Sequence, residues 1–171
     1  KFRPVHLLRY DDVFLEAEYS EIVSRQDVSL KDGLGKYAFE IPIIASPMDT
    51  ICGWMMSRTM AIHGGLGILH RFMSTEENVE QYEAASSGNL TVGVSIGVKD
   101  EERKRAESLI RAGANIICVD TARGYSKVVG DMVRWLDTSF DDLFIIAGST
   151  VSFYGAEYLV GCGADAIRVG I

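Results

Sequence analysis

The chain has 171 residues, 47% of them hydrophobic and 24% charged, with a formal net charge of -7 and a pI of about 5.0. No apolar run approaches the ~18 residues needed to span a bilayer, and no charged, apolar and small-residue succession of a secretory leader opens the chain, so a cytoplasmic location is expected. The acidic balance and the scatter of Lys and Arg argue against a nucleic-acid footprint.

Residues 1–40 mix polar and aromatic residues without a sustained period, and they are expected to form an N-terminal arm packing across one end of the domain that follows. The first apolar run, Ile41 to Ala45, leaves through Ser46, Pro47, Met48, Asp49 and Thr50. The proline fixes a turn there. Met48 beside the Ser46 hydroxyl could stack on a planar ring while the hydroxyl bonds its edge. Equally, Met48 could cap the core and Asp49 or Thr50 the next helix. Gly64-Gly65 places His63 near a helix end, and a second run follows from Gly64 to Leu69.

Ser74 to Glu77 is a capping-box pattern that opens a helix reaching about Ala85. A third run, Leu90 to Ser95, precedes Glu101 to Arg105, whose mixed signs suggest a solvated helix face. Ala106, Leu109 and Ile110 line the apolar side of that helix, which ends at Gly113. The fourth run, Asn115 to Val119, leaves through Asp120, Thr121, Ala122, Arg123 and Gly124. A carboxylate there can accept two hydrogen bonds from a ribose diol or orient a base. Helix capping would fall more naturally to a residue nearer Ser126, which favours the functional reading.

Val128, Val129, Met132, Val133 and Leu136 define one face of the next helix. Leu143 to Ala147 runs into Gly148, Ser149 and Thr150, and Ala166 to Val169 carries Arg168 inside an apolar strand. An arginine in that position needs an anion or carbonyl partner, either Asp120, Asp165 or a ligand. Arg111 to Asn115 echoes Gly161 to Asp165, each a helix stop and tight turn before a strand.

Six short apolar runs without period-2 alternation, each followed by a helical stretch, predict right-handed βαβ units in a parallel sheet. Such a succession is most of an α/β (β/α)8 TIM barrel, and barrels carry their chemistry at the C-terminal ends of the strands. A whole barrel takes about 250 residues. The chain is therefore expected to hold an arm over residues 1–40 and the first part of a catalytic barrel over 41–171, leaving roughly two βα units unaccounted for. Cys52, Cys118 and Cys162 show no metal or disulfide spacing and read as small buried hydrophobes, with Cys52 and Cys162 inside helical stretches. His6, His63 and His70 are too dispersed for a ligand pair, so no metal site is expected.

These residues resemble the IMP dehydrogenase and GMP reductase family. The likeness runs through Tyr10 to Val13 with Tyr19 to Glu21, Ile41 to Thr50, Gly64 to His70, Val119 to Ser126 and Gly163 to Ile171. Five segments in order at suitable spacing make the likeness specific. The resemblance implies a (β/α)8 barrel, usually a homotetramer, that binds a purine nucleoside monophosphate and NADP or NAD at the strand tops. It places Ser46 and Met48 against the purine nucleotide, Asp120 and Thr121 against the nicotinamide riboside, and Arg168 beside the reacting centre. Gly148 matches a cofactor-side glycine. Ser149 departs from the pattern, since the family usually has Asn there.

The resemblance also implies a nucleophilic cysteine a few residues past Val169, Gly170 and Ile171, and a monovalent cation near the loop after Ile171. The run from Gln81 to Asn89 leads straight into the third strand with no regulatory CBS insert, as in the reductases. His70-Arg71-Phe72 and Ser24 to Val28 also resemble bacterial GMP reductases, whereas Gly64 to Gly67 and Pro47 to Thr50 resemble dehydrogenases. The sequence therefore leans to GMP reduction to IMP with NADPH, with IMP oxidation to XMP with NAD as the alternative. A sugar-phosphate barrel enzyme and a noncatalytic nucleotide-binding relative stand as readings of other classes.

Overall fold

A computed structural model describes residues 10–170; His6, the beginning of the N-terminal arm and Ile171 lie outside the described residues. Residues 10–31 hold two short 3-10 turns, Tyr10–Asp12 and Arg25–Asp27, and expose Phe14, Leu15, Tyr19 and Val23. A hairpin follows, with β1 (Asp32–Leu34) antiparallel to β2 (Tyr37–Phe39). Its side chains Leu34, Tyr37 and Phe39 pack on Leu66, Ile116 and Phe144 at the N-terminal ends of the strands beyond. The Tyr37 ring meets Phe144 edge-on at 5.6 Å, and Lys36 Nζ donates to the Asp142 carbonyl at 2.7 Å.

The six apolar runs form one parallel sheet in sequential order: β3 (Ile44–Ala45), β4 (Leu66–Leu69), β5 (Gly93–Ile96), β6 (Ile116–Asp120), β7 (Phe144–Thr150) and β8 (Ala166–Val169). Between them run α1 (Trp54–Ile62), α2 (Thr75–Ser86), α3 (Asp100–Arg111), α4 (Lys127–Ser139) and α5 (Phe153–Val160). Both faces of the four central strands, β4 to β7, are buried. Val94, Ile117, Val119, Ile145 and Ala147 face the helices, while Leu66, Ile68, Ile116, Cys118, Phe144 and Ile146 fill the inner side. Two dry faces explain why the strands read as continuous apolar runs. This is an incomplete (β/α)8 barrel with β3 and β8 as its edges.

The helix starts follow from the sequence. Ser74 Oγ accepts the Glu77 N–H at 3.1 Å and Ser152 Oγ accepts that of Gly155 at 3.1 Å, each satisfying a donor the helix leaves open. Gly113 and Gly163 take φ of +106° and +105°, so the echoed turns are the same left-handed helix stop. On α4 the inner face is Val129, Met132, Val133 and Leu136; Val128 points outward instead.

The charged helix departs from expectation. Glu102 and Arg105 are buried at 7% and 9% exposure and pair at 3.2 Å. Arg105 also donates to the Met73 and Ser74 carbonyls and to Asn78 Oδ1, and Glu102 accepts the Gly97 N–H at 2.6 Å. A fully satisfied pair can be buried where a lone charge cannot. The local mixture of signs does not reveal that α2 lies across this face.

Candidate functional site

Register builds the site. Asp120 on β6, Gly148 on β7 and Arg168 on β8 are neighbours in one row across three adjacent strands. In a parallel sheet such neighbours share a face, here the inner side that also holds Cys118 and Ile146. Gly148 contributes no side chain to the row. Arg168 therefore reaches over β7, and its Nη1 donates to Asp120 Oδ1. The Arg168 and Asp120 side chains are 32% and 18% exposed, so the pair sits at the boundary of the inner core and the open end of the sheet.

This geometry decides among the readings of Arg168. Its partner is Asp120, while Asp165 Oδ2 accepts the Ile145 N–H at 2.7 Å. Asp120 is not a helix cap either, because the N-cap of α4 is Ser126, six residues on, and it receives no side-chain cap bond. Asp120, Gly148 and Ser149 all lie within their strands rather than beyond them, since β6 and β7 run further than the apolar residues alone suggest.

Thr121 and Ser149 are tied together at the same end. Thr121 N–H and its hydroxyl both donate to the Gly148 carbonyl at 3.0 Å, and Ser149 N–H donates to the Thr121 carbonyl at 2.5 Å. The Gly124 N–H closes the loop on the Ser149 carbonyl at 2.7 Å. The glycine at 148 has a packing reason of its own. A Cβ there would stand 2.6 Å from the Arg168 carbonyl and 2.7 Å from Arg168 Cβ.

At the β3 edge, Pro47 is buried and Met48 is 46% exposed. The Met48 carbonyl accepts the N–H groups of Ile51 and Cys52 at 3.0 and 2.9 Å, which turns the chain sharply and leaves the thioether outside. Ser46 beside it is half-buried. Neither Asp49 nor Thr50 caps α1, whose N-cap is Gly53; Asp49 Oδ1 instead accepts the Thr50 N–H at 2.9 Å.

A cavity of about 470 Å³ opens between the tops of β4, β5 and β6, lined by Arg71, Gly97, Lys99, Glu102, Thr121 and Ala122 among others. Its size falls in the range of about 300–1,000 Å³ common for small-molecule and cofactor sites. Thr121 belongs to both this cavity and the Asp120 end of the row. Arg71 Nε is buried without a hydrogen-bond partner.

All three cysteines are buried and free. Burial pushes the Cys118 thiol up to about 12 and also raises Cys52, so neither is a thiolate at neutral pH. Cys52 precedes α1 and Cys162 follows α5, so neither lies inside a helix as expected. Among the described residues no cluster of three His, Cys, Asp or Glu could hold a metal ion, and no helix is long and apolar enough to cross a membrane.

Residues 7–171 match the family model of the IMP dehydrogenase / GMP reductase domain. The chain belongs to the IMP dehydrogenase / GMP reductase family. It is 31% identical over 170 residues to a GMP reductase of Streptococcus agalactiae, covering 99% of this chain and 52% of that protein. A GMP reductase of Enterococcus faecalis is 32% identical over 164 residues, covering 95% and 50%. Among solved structures, inosine 5'-monophosphate dehydrogenase from Legionella pneumophila superposes with a TM-score of 0.87 at 39% identity, covering 94% of this chain and 50% of that one. The chain thus spans about half the length of the relatives it matches.

Against the IMP dehydrogenase / GMP reductase pattern, the fold brings Asp120, Thr121, Gly148, Ser149 and Arg168 into one patch. Ser46 and Met48 stand apart from it, at the opposite edge of the sheet. Sequence reading missed Arg71 as a cavity residue. The signal was present, since Arg71 follows directly on the β4 strand end through His70, in the same position as the other site residues.

Proposed function

We propose that this chain supplies the strand-top half of an oxidoreductase site that moves a hydride between a nicotinamide cofactor and a purine nucleoside monophosphate. The observation that carries this reading is the Asp120 and Arg168 pair, held half-buried across Gly148 where barrel enzymes keep their chemistry. The cavity sharing Thr121 with that pair, and Arg71 in its wall, whose Nε has no hydrogen-bond partner, fit an anionic dinucleotide.

In this reading the exposed Met48 thioether packs on the purine base and the Ser46 hydroxyl bonds its edge. Asp120 accepts hydrogen bonds from the nicotinamide ribose, and Thr121 fixes the neighbouring backbone. Arg168 holds the Asp120 carboxylate in place. Ser149 presents a hydroxyl where the family's usual Asn would present an amide, so it reaches less far toward a bound carboxamide. The nicotinamide, when bound, supplies the hydride donor or acceptor. The covalent step belongs to a cysteine past Ile171, because Cys118 is buried and protonated.

The favoured direction is reductive deamination of GMP to IMP, in which NADPH delivers hydride to purine C2 and ammonia leaves. The GMP reductase relatives and the direct path from α2 to β5 support it. IMP oxidation to XMP with NAD is the second reading, favoured by the 39% identity to the Legionella enzyme. A cytoplasmic homotetramer with a monovalent cation near the loop after Ile171 completes the proposal. The test follows nicotinamide absorbance of the intact protein with GMP plus NADPH and with IMP plus NAD. Oxidation of NADPH that requires GMP is expected; turnover with IMP and NAD alone would reverse the direction, and silence in both would overturn the enzyme reading.

A further inference from the structure

Three buried polar side chains, Asn78, Glu102 and Arg105, join the top of β4 to the top of β5 in one continuous run of hydrogen bonds. Asn78 on α2 donates from Nδ2 to the His70 carbonyl, one residue past β4, at 3.2 Å, and its Oδ1 accepts from Arg105 Nη1 at 3.1 Å. Arg105 on α3 donates further to the Met73 carbonyl at 2.9 Å, to the Ser74 carbonyl at 3.2 Å and, through Nε, to Glu102 Oε1 at 3.2 Å. Glu102 Oε2 then accepts the N–H of Gly97, one residue past β5, at 2.6 Å. The four backbone groups reached, those of His70, Met73, Ser74 and Gly97, all lie outside strands and helices.

A buried ion pair stabilises a fold no better than well-packed apolar residues of the same volume. What this one supplies beyond packing is direction, since a planar guanidinium with several donors fixes each carbonyl it meets at a set distance and angle. The tied loops are working surfaces: residues 71 to 73 after β4 and 97 to 99 after β5 form two walls of the cavity at the strand tops. Within the first loop, the Phe72 N–H donates to His70 Nδ1 and the Met73 N–H to the Arg71 carbonyl. Those bonds span two residues each, so they shape the turn without setting its distance from β5. The run through Asn78, Arg105 and Glu102 sets that distance.

We propose that Arg105 is a positioning residue, which through Asn78 and Glu102 holds the loops after β4 and β5 at the separation that turnover requires while acting on no reacting atom itself. The inference rests on the functional reading given above, and kinetics of the intact protein separate the two. Arg105→Lys keeps the charge and loses the planar fork, so the loops should drift apart. The KM for the nicotinamide cofactor should then rise about tenfold or more, because small misplacements of a site wall are costly, while the KM for the purine nucleotide holds within about twofold. Ser46 and Met48 stand at the far edge of the sheet and are not moved by these loops.

Glu102→Ala removes the acceptor for Gly97 and should reproduce the split; it also serves if Arg105→Lys fails to fold. Glu102→Gln keeps an acceptor for the Gly97 N–H and should recover most of the cofactor KM. Val133→Ala thins the core under α4, away from both loops, and controls for lost stability. Amide hydrogen exchange without ligand adds a readout apart from activity: residues 71 to 74 and 97 should exchange faster in Arg105→Lys, with β6 and β7 unchanged. Unchanged cofactor KM in folded Arg105→Lys and Glu102→Ala, or the same rise in Val133→Ala, would overturn the positioning role and leave the oxidoreductase reading standing. Absence of turnover by the unaltered protein with GMP plus NADPH and with IMP plus NAD would overturn both.

Discussion

Gly148 and Arg168 stand side by side on β7 and β8 so closely that a methyl group on the first would press on the backbone of the second, 2.6 Å from its carbonyl. The missing side chain is what lets Arg168 cross β7 to Asp120. Gly148→Ala should therefore lower stability by about 1–3 kcal/mol through overpacking and also separate the ion pair. Denaturant unfolding and hydride-transfer assays on the same variant check this. Full activity in a stable Gly148→Ala protein would show that the pair does not depend on the glycine.

Asp120→Ala removes the acceptor for Arg168 and the proposed contact to the nicotinamide ribose. Turnover should fall on the order of 10² or more, with purine nucleotide binding nearly kept. Single-turnover kinetics beside nucleotide titrations separate the two. Unchanged turnover would reduce Asp120 to a structural anchor for Arg168.

Met48 is exposed, so Met48→Ala should cost little stability, well below the roughly 2–5 kcal/mol of a buried methionine. Purine nucleotide affinity should fall instead. Thermal melts with and without GMP read both effects. A large drop without nucleotide would mean that Met48 is packed in the working protein.

Glu102→Gln and Arg105→Met probe the buried pair beside the cavity. Arg105→Met leaves the Glu102 charge and Asn78 Oδ1 short of a donor and should cost about 3–5 kcal/mol. Glu102→Gln keeps an acceptor for the Gly97 N–H and should cost less. Urea midpoints rank the two; the reverse order would move the weight of the network to Gly97.

Cys118 offers a test by pH. Its thiol is held at about 12 in the fold against an ordinary 9.0, because burial disfavours the thiolate and Asp120 adds to the effect. The folded state keeps the proton that the unfolded chain releases, so the contribution is whole below about pH 9 and is lost as pH climbs toward 12. Over that interval its share of stability should fall by about 1.4 kcal/mol per pH unit. Cys118→Ala should flatten the alkaline limb of stability against pH. An identical limb in the variant would assign the alkaline loss to other groups.

Much of the architecture is set by local chemistry and is visible in the residues themselves. Strands with two dry faces must be continuously apolar, so six runs were countable from the chain alone; Ser74, Gly113 and Gly163 mark helix ends because they satisfy or permit a backbone that few other residues do. Asp120 and Arg168 stood out for the same reason, as charges in apolar strands. Their partnership did not. It depends on the register of three strands separated by 48 residues of chain and on a glycine between them, neither of which any window of sequence contains. The same holds for Glu102 and Arg105, which read as solvated and are buried by α2, and for Arg71, whose Nε is left without a partner only once the surrounding strands are in place. Helix stops and strand runs follow from near neighbours, whereas the compensation of a charge is decided by whatever the folded chain brings within a few ångströms of it.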